Sequence, residues 1–271
     1  ILRLYYIQLV NGQWYRQEVD QNQTKSVYIT APRGWIKDRN GQVLVNNKPV
    51  FTVSVTLMPQ MKEDDYKQLA AKLSPLLDMP ANEIFDKMDV GPNKKMSSYI
   101  PRRIKVGITE EQVAKISERQ PELPGIEVIV EPIRDYKYGK LAAHILGYTR
   151  PVPANQVDEY LAHGYRADDR VGYFGVEKQY ESQLKGKDGR VEVVVNNLYQ
   201  RVDEKAVFDP IPGNNLILSI DLKLQQKVEQ ILSDTIKELH TRSYHPMPQV
   251  KSATAVVMSP KTGEIYAMAN Y

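Results

Sequence analysis

No cysteine occurs in the 271 residues. That excludes a disulfide framework, a thiol nucleophile and a thiolate metal site. No run of about 18 apolar residues occurs either, so no segment as written spans a bilayer as a helix. No charged-then-apolar leader opens the chain. Charge of one sign is not in excess: 36 Lys and Arg face 33 Asp and Glu, leaving +3. This gives no electrostatic footprint for nucleic acid. Phe and Trp are scarce, four and two, while Tyr reaches seventeen. Tyrosine tolerates half-wet surfaces, so the skew points to an elongated body with a thin core. Apolar content of 42% and charged content of 25% are those of a globular protein, long enough for one large core or two modest ones.

The chain opens Ile1-Leu2-Arg3-Leu4-Tyr5-Tyr6-Ile7-Gln8-Leu9-Val10. This reads either as the outer end of a transmembrane helix or as an amphipathic first helix. A polar stretch (Gln17 to Lys25) and an extended piece (Val27 to Thr30) follow. Asn40-Gly41 between apolar runs predicts a tight hairpin with positive φ at both residues. Phe51, Val53, Val55 and Leu57 alternate with Thr52, Ser54 and Thr56, which predicts a strand with one buried face. Tyr66, Leu69, Leu73 and Leu76, then Ile84, Phe85 and Met88, fall at helical spacing. They predict a small helical insertion that ends in a basic turn at Gly91 to Lys95. Thr109 and Gln112 form a capping box, with Val113 and Ile116 turned inward.

Pro124-Gly125 is a turn, and Ile126, Val128 and Val130 alternate after it as a strand. Asn155 to His163 reads as a short helix closed by Gly164. Gly172 to Lys185 reads as another, with Val176, Tyr180 and Leu184 on one face and Gly186 as its stop. Arg190 to Val195 and Asn215 to Ile220 read as strands. Asp221 is a good N-cap for a long helix through Leu239. Ala253 to Met258 and Glu264 to Asn270 make a closing hairpin through a Pro-led turn. The elements alternate irregularly, so the fold class is α+β with mixed sheets. A lone hairpin leaves open edges, and we expect the domain to continue beyond Tyr271.

Four segments together resemble the class B penicillin-binding proteins, the cell-wall D,D-transpeptidases. The first is Arg33-Gly34-Trp35-Ile36-Lys37-Asp38-Arg39-Asn40-Gly41-Gln42-Val43-Leu44. The second is Arg134-Asp135-Tyr136-Lys137-Tyr138-Gly139 with His144-Ile145-Leu146-Gly147-Tyr148. The third is Gly172-Tyr173-Phe174-Gly175-Val176-Glu177 with Tyr180-Glu181, Leu184, Gly186 and Gly189. The fourth runs from Leu218 to Gln225 and resumes at Ala253 to Met258 and Thr262 to Ile265. Lys137 stands where the family usually has Pro, which suggests a looser turn there. The outline resembles the elongation (penicillin-binding protein 2) type.

The resemblance implies an elongated mixed-sheet pedestal over 27–220 with a helical head at about 60–98. A juxtamembrane segment would occupy 1–26, and 221–271 would hold the first helix and hairpin of an incomplete transpeptidase domain. It implies a bacterial, extracytoplasmic protein held by a single-pass anchor. It also implies partners: a RodA-type glycosyltransferase, an MreC-like scaffold and peptidoglycan, with no cofactor and no nucleic acid.

The family's active site needs Ser-x-x-Lys, Ser-x-Asn and Lys-Thr-Gly. Ser182 to Lys185 spells the first of these, and Lys261-Thr262-Gly263 spells the last. No Ser-x-Asn lies between them, and Lys261-Thr262-Gly263 sits in a tight turn, so both are rejected as chemistry. His144 reads as a hydrogen-bonded core residue. His240 and His245 lack nearby carboxylates for a metal. Asp168-Asp169 and Glu63-Asp64-Asp65 read as solvated faces or helix-start charges.

No catalytic, cofactor-binding or metal-binding residue is therefore assigned, and the chain as given is read as non-enzymatic. We expect a structural junction instead, in which Arg33, Arg39 and Arg134 pair with Asp38 and Glu177. Gly34, Gly41, Tyr136, Gly139, Gly172 and Gly175 would lie around it. The leading function is a scaffold that positions the catalytic domain and docks partners, with the head as a contact surface or simply packed on its own sheet. The alternative is an intact acyl-serine transpeptidase whose catalytic domain is missing from this chain. A glycan-binding protein would need exposed aromatics.

Overall fold

The computed structural model describes residues 24–58, 60–90, 101–153, 155–166, 169–195, 201–242, 247 and 249–271. The expected opening helix, the polar stretch before Thr24, the basic turn at Gly91 to Lys95, Asp168 and His245 lie outside these residues. The fold is α+β with mixed sheets. The chain divides into two compact units. One takes the residues up to 31, 49–132 and 187–211, and the other takes 32–48, 133–186 and 212–271. Among the described residues no helix is long and apolar enough to cross a membrane.

In the first unit, β1 (Thr24–Ile29), β8 (Gly189–Val195) and β9 (Arg201–Phe208) form an antiparallel sheet with β8 in the middle. Tyr28 stands opposite Arg190, and Arg190 opposite Phe208. Elsewhere in this unit the end of β3 (Val43–Val55) pairs with β4 (Arg102–Ile108), Phe51 opposite Ile108. The helices α1 (Glu63–Leu77) and α2 (Ala81–Met88) bury the predicted stripe of Tyr66, Leu69, Leu73 and Leu76 together with Ile84 and Met88. These side chains join Val53, Val55, Leu57 and Ile104 in one core. Glu63, Asp64 and Asp65 occupy the first turn of α1, where they complement the helix dipole. The capping box at Thr109 opens α3 (Glu110–Glu118), with Ile116 fully buried.

Two expectations fail in this unit. Thr52 and Ser54 are as buried as Val53 and Val55, so both faces of this part of β3 are covered, while β4 and β5 (Ile126–Tyr136) pair along it. The predicted alternation after Gly125 lapses too. Ile126 is buried but Val130 is 62% exposed, and the strand runs on to Tyr136 past the end of the unit's core.

In the second unit, β2 (Ile36–Lys37) pairs antiparallel with the start of β3 and parallel with β10 (Leu216–Ile217). The helix α4 (Ala143–Leu146) precedes a short ladder, β6 (Thr149–Pro151) against β7 (Arg170–Gly172). The helix α5 (Val157–Ala162) lies between those two strands. The single helix expected over Gly172 to Lys185 is instead β7 followed by α6 (Gly175–Gln179) and α7 (Glu181–Leu184). The break falls at Tyr180, whose backbone is non-helical and whose ring is exposed. Gly186 has no positive φ among the described residues and is not a helix stop of that kind. Ile36, Leu44, Val45, Leu146, Leu184 and Leu222 form this unit's core.

Asp221 caps α8 (Leu222–Thr241) by accepting from Leu224 N at 3.0 Å. This helix packs on β12 (Ile265–Asn270), which pairs with β11 (Thr254–Met258). On this helix Ile236 is buried and Ile231 is 51% exposed.

Candidate functional site: a buried arginine–glutamate junction

Arg33 lies just before β2, Arg134 near the end of β5, Glu177 on α6 and Glu181 on α7. The second unit brings all four together. Arg33 donates through Nη2 to Glu177 Oε2 at 2.7 Å and to Glu181 Oε2 at 2.7 Å, and through Nη1 to Glu181 Oε1 at 3.2 Å. Arg134 approaches the other oxygen of Glu177, Nε to Oε1 at 2.5 Å. Its Nη1 donates to the Gly34 carbonyl at 2.7 Å and to Asn47 Oδ1 at 3.3 Å. Asn47 returns a bond to the Arg33 carbonyl at 2.7 Å. Gly172 N at 2.8 Å and the Tyr165 hydroxyl at 3.3 Å complete the shell of Glu181.

Glu177 is wholly buried and Arg134 retains 3% of its side-chain exposure. Two cations against two anions leave the cluster neutral, which is what makes such burial tolerable. Burial pulls Arg33 down, but its hydrogen bond to Glu181 and the charge of Glu177 outweigh that, and its pKa rises overall. For Arg134, burial is the largest influence and lowers its pKa despite Glu177. Burial, aided by the charge of Glu177, pushes the Tyr136 phenol up to about 12.

Both Glu177 oxygens are taken by guanidinium groups, which disfavours the carboxylate as a base or a metal ligand. Among the described residues no group of three metal-ligating side chains exists. The geometry joins distant stretches of chain.

Arg39 and Asp38 are not part of this cluster. Asp38 is buried and serves amides instead: Oδ1 accepts from Asn40 N at 2.9 Å and Gln42 N at 2.7 Å, and Oδ2 from Leu222 N at 3.1 Å. Asn40 Nδ2 donates to Asp221 at 2.9 Å. The loop is wider than the expected two-residue turn. Gly41 N donates to the Asp38 carbonyl at 3.0 Å, and among the loop residues only Gly41 takes positive φ, +82°. This matches a turn followed by a left-handed glycine. Arg39 lies over the Tyr266 ring, 4.1 Å from its centre, and 3.9 Å from Glu264.

Gly34 lies where a Cβ would stand 1.8 Å from the Asn214 carbonyl oxygen, so only glycine lets those backbones touch. Gly172 and Gly175 border Glu177 on β7 and α6, and Gly139 closes the turn after Tyr136. Lys137 N donates to the Leu44 carbonyl at 3.1 Å. A proline has no such donor, so the turn is tied and not loosened.

Sequence reasoning gave no role to Gln225 or Glu229, both on α8. Gln225 is buried, donating to the Met268 carbonyl at 2.6 Å and accepting from Met268 N at 2.8 Å. Glu229 accepts from Gln225 and from Ala142 N, each at 2.8 Å. A buried glutamine on an otherwise apolar helix stripe was the available signal.

In the first rejected catalytic motif the serine and the lysine have separate partners. The Ser182 hydroxyl is exposed and bonds Gln183 at 2.9 Å. Lys185 instead meets Asp169 at 3.2 Å and the Tyr165 ring at 3.3 Å. Asp169, expected at a solvated face, is buried and paired with Arg166 as well. His144 is half-buried, and among the described residues its Nε2 has no hydrogen-bond partner, contrary to expectation. His240 bonds the Val250 carbonyl at 2.6 Å.

A family profile described as the penicillin-binding protein dimerisation domain matches residues 28–218. The chain belongs to the class B penicillin-binding proteins, as their pedestal region. It is 32% identical over 86% of its length to the peptidoglycan D,D-transpeptidase MrdA of Salmonella typhimurium. It is 30% identical over 99% of its length to MrdA of Escherichia coli K12. The chain spans 37% and 40% of these two relatives. A solved complex of penicillin-binding protein 2 with MreC from Helicobacter pylori shares the fold, with TM-score 0.69 at 23% identity, over 92% of this chain and 43% of that one.

Proposed function

We propose that this class B pedestal is the non-catalytic part of a membrane-anchored peptidoglycan D,D-transpeptidase. It positions a catalytic domain and docks cell-wall elongation partners. The observation that carries the reading is the match of residues 28–218 to the dimerisation domain. The long helix α8 follows that region directly, and its first turn is held by the β2–β3 loop through Asp38.

The junction of Arg33, Arg134, Glu177 and Glu181 is the rigid element of this scaffold, because it fixes three stretches of chain by charge-assisted bonds. The partners proposed are an MreC-like scaffold, as in the H. pylori complex, and a RodA-type glycosyltransferase. The apolar stripe of α1 is buried in its own unit. Any docking by the head therefore falls to its charged outer face, including Lys67, Lys72 and Lys87.

Fluorescent penicillin and an immobilised MreC-type protein test the reading together. The chain takes up no label and captures the partner. Stable labelling of this chain, or partner capture that survives deletion of 60–98, overturns the non-catalytic role or the head's part in docking respectively.

A further inference from the structure

The junction accounts for Glu177 and the glycines beside it, but not for the aromatic residues of the same sequence segments. Tyr173 N donates to the Tyr148 carbonyl at 2.9 Å, extending the β6–β7 ladder by one pair. The two rings lie 5.6 Å apart with 47° between their planes. They are 48% and 37% exposed, and the adjacent Phe174 is 51% exposed. Two residues on from Tyr148, the Arg150 guanidinium stacks on Tyr173, 3.2 Å from the ring centre.

Arg150 is half-buried, and its Nε is buried with no hydrogen-bond partner among the described residues. Among the described residues no carboxylate pairs with it, whereas Arg33, Arg134 and Arg166 of the same unit each have one. The backbone beneath is fixed. A Cβ on Gly147 would stand 1.8 Å from the Phe174 carbonyl oxygen, and one on Gly175 2.4 Å from that of Ile145. Rings carried on touching backbones need little further ordering to bind.

We propose that Tyr148, Tyr173 and Arg150 form a binding site for a carboxylate-bearing glycan strand. A tyrosine ring offers an apolar face to a sugar ring and a hydroxyl at its edge. The stacked guanidinium is held by the ring quadrupole, and its fork matches the two oxygens of a carboxylate. A neutral apolar partner would cover the arginine without supplying a counter-charge, which is costly. Taking peptidoglycan as the strand rests on the pedestal reading; the chemistry of the site does not.

The test titrates the whole chain with soluble, uncrosslinked peptidoglycan strands and with neutral chitin oligosaccharides, by calorimetry. The strands bind, and Arg150→Gln and Tyr173→Ser each weaken them about tenfold, a loss of about 1.4 kcal/mol. Chitin binds less tightly and responds to Tyr173→Ser but not to Arg150→Gln. Tyr173→Phe keeps most of the affinity and confirms that the ladder folds.

Absence of strand binding to the parent chain overturns the proposal. So does equal binding by Arg150→Gln and Tyr173→Ser variants that melt like the parent. Loss of MreC-type partner capture in Arg150→Gln, with glycan binding unchanged, assigns the patch to a protein and likewise overturns it. Partner capture without glycan binding sinks this site alone; glycan binding without partner capture sinks only the docking role.

Discussion

Replacing Glu177 by glutamine keeps the side chain's shape and removes its charge. One carboxylate oxygen becomes an NH2 group, which then faces either the Arg33 or the Arg134 donor. Both guanidinium groups are largely out of water, with 12% and 3% of their side chains exposed. Leaving a buried charge without its partner costs about 3–5 kcal/mol. At about 2–4 °C per kcal/mol for domains of this size, the melting transition of the second unit falls by roughly 10 °C. Glu177→Lys adds a third cation and falls further.

Removing both members of the inner pair, Glu177→Leu with Arg134→Met, leaves Arg33 its bidentate partner Glu181. This double variant melts above Glu177→Leu alone, because the uncompensated arginine has gone. Scanning calorimetry reads each case. A Glu177→Gln variant melting within about 2 °C of the parent refutes the view that this cluster holds the unit together.

Gly34→Ala places a Cβ against the Asn214 carbonyl and costs about 3 kcal/mol or more. Gly41→Ala meets no atom within 4 Å and costs only the left-handed conformation, about 1–2 kcal/mol; urea midpoints in the reverse order contradict the geometry. Gln225→Leu orphans the Met268 amide and carbonyl, at about 1–3 kcal/mol each, and hydrogen exchange at Met268 accelerates; unchanged protection refutes the bridge. The bond from Leu224 N, then that from Asn40, hold Asp221 below the usual aspartate range. Its contribution is therefore present above about pH 4 and lost as pH falls through the lowered value. Asp221→Ala is about 1 kcal/mol less stable near neutrality, and the gap closes toward pH 2; a gap that persists in acid contradicts the assignment.

The helices α1, α3 and α8 were legible because their signals are local: apolar spacing, a capping box and an N-cap aspartate. The pairing of Arg33 and Arg134 with Glu177 was expected from residue chemistry, and the structure places them within bonding distance. Arg39 and Asp38 were misassigned for a physical reason. The aspartate sits inside a turn whose amides are closer than any guanidinium, so the backbone claims it first. The split of 172–185 was invisible because Val176 and Leu184 keep helical spacing across the break. Thr52 and Ser54 look like a wet face by composition, and their burial depends on residues distant in sequence, such as Glu127, whose carbonyl accepts from the Ser54 hydroxyl at 3.5 Å.

The Asp38 carboxylate also carries a consequence for the order of assembly. Its bonds to Asn40 and Gln42 span two and four residues, whereas its bond to Leu222 spans 184. The loop can therefore take its shape soon after it is synthesised, while the acceptor for the first turn of α8 stands ready. The long closure is entropically costly, but it meets a template already in place. During translation the hairpin is made first and waits, and arrival of the helix start completes the joint.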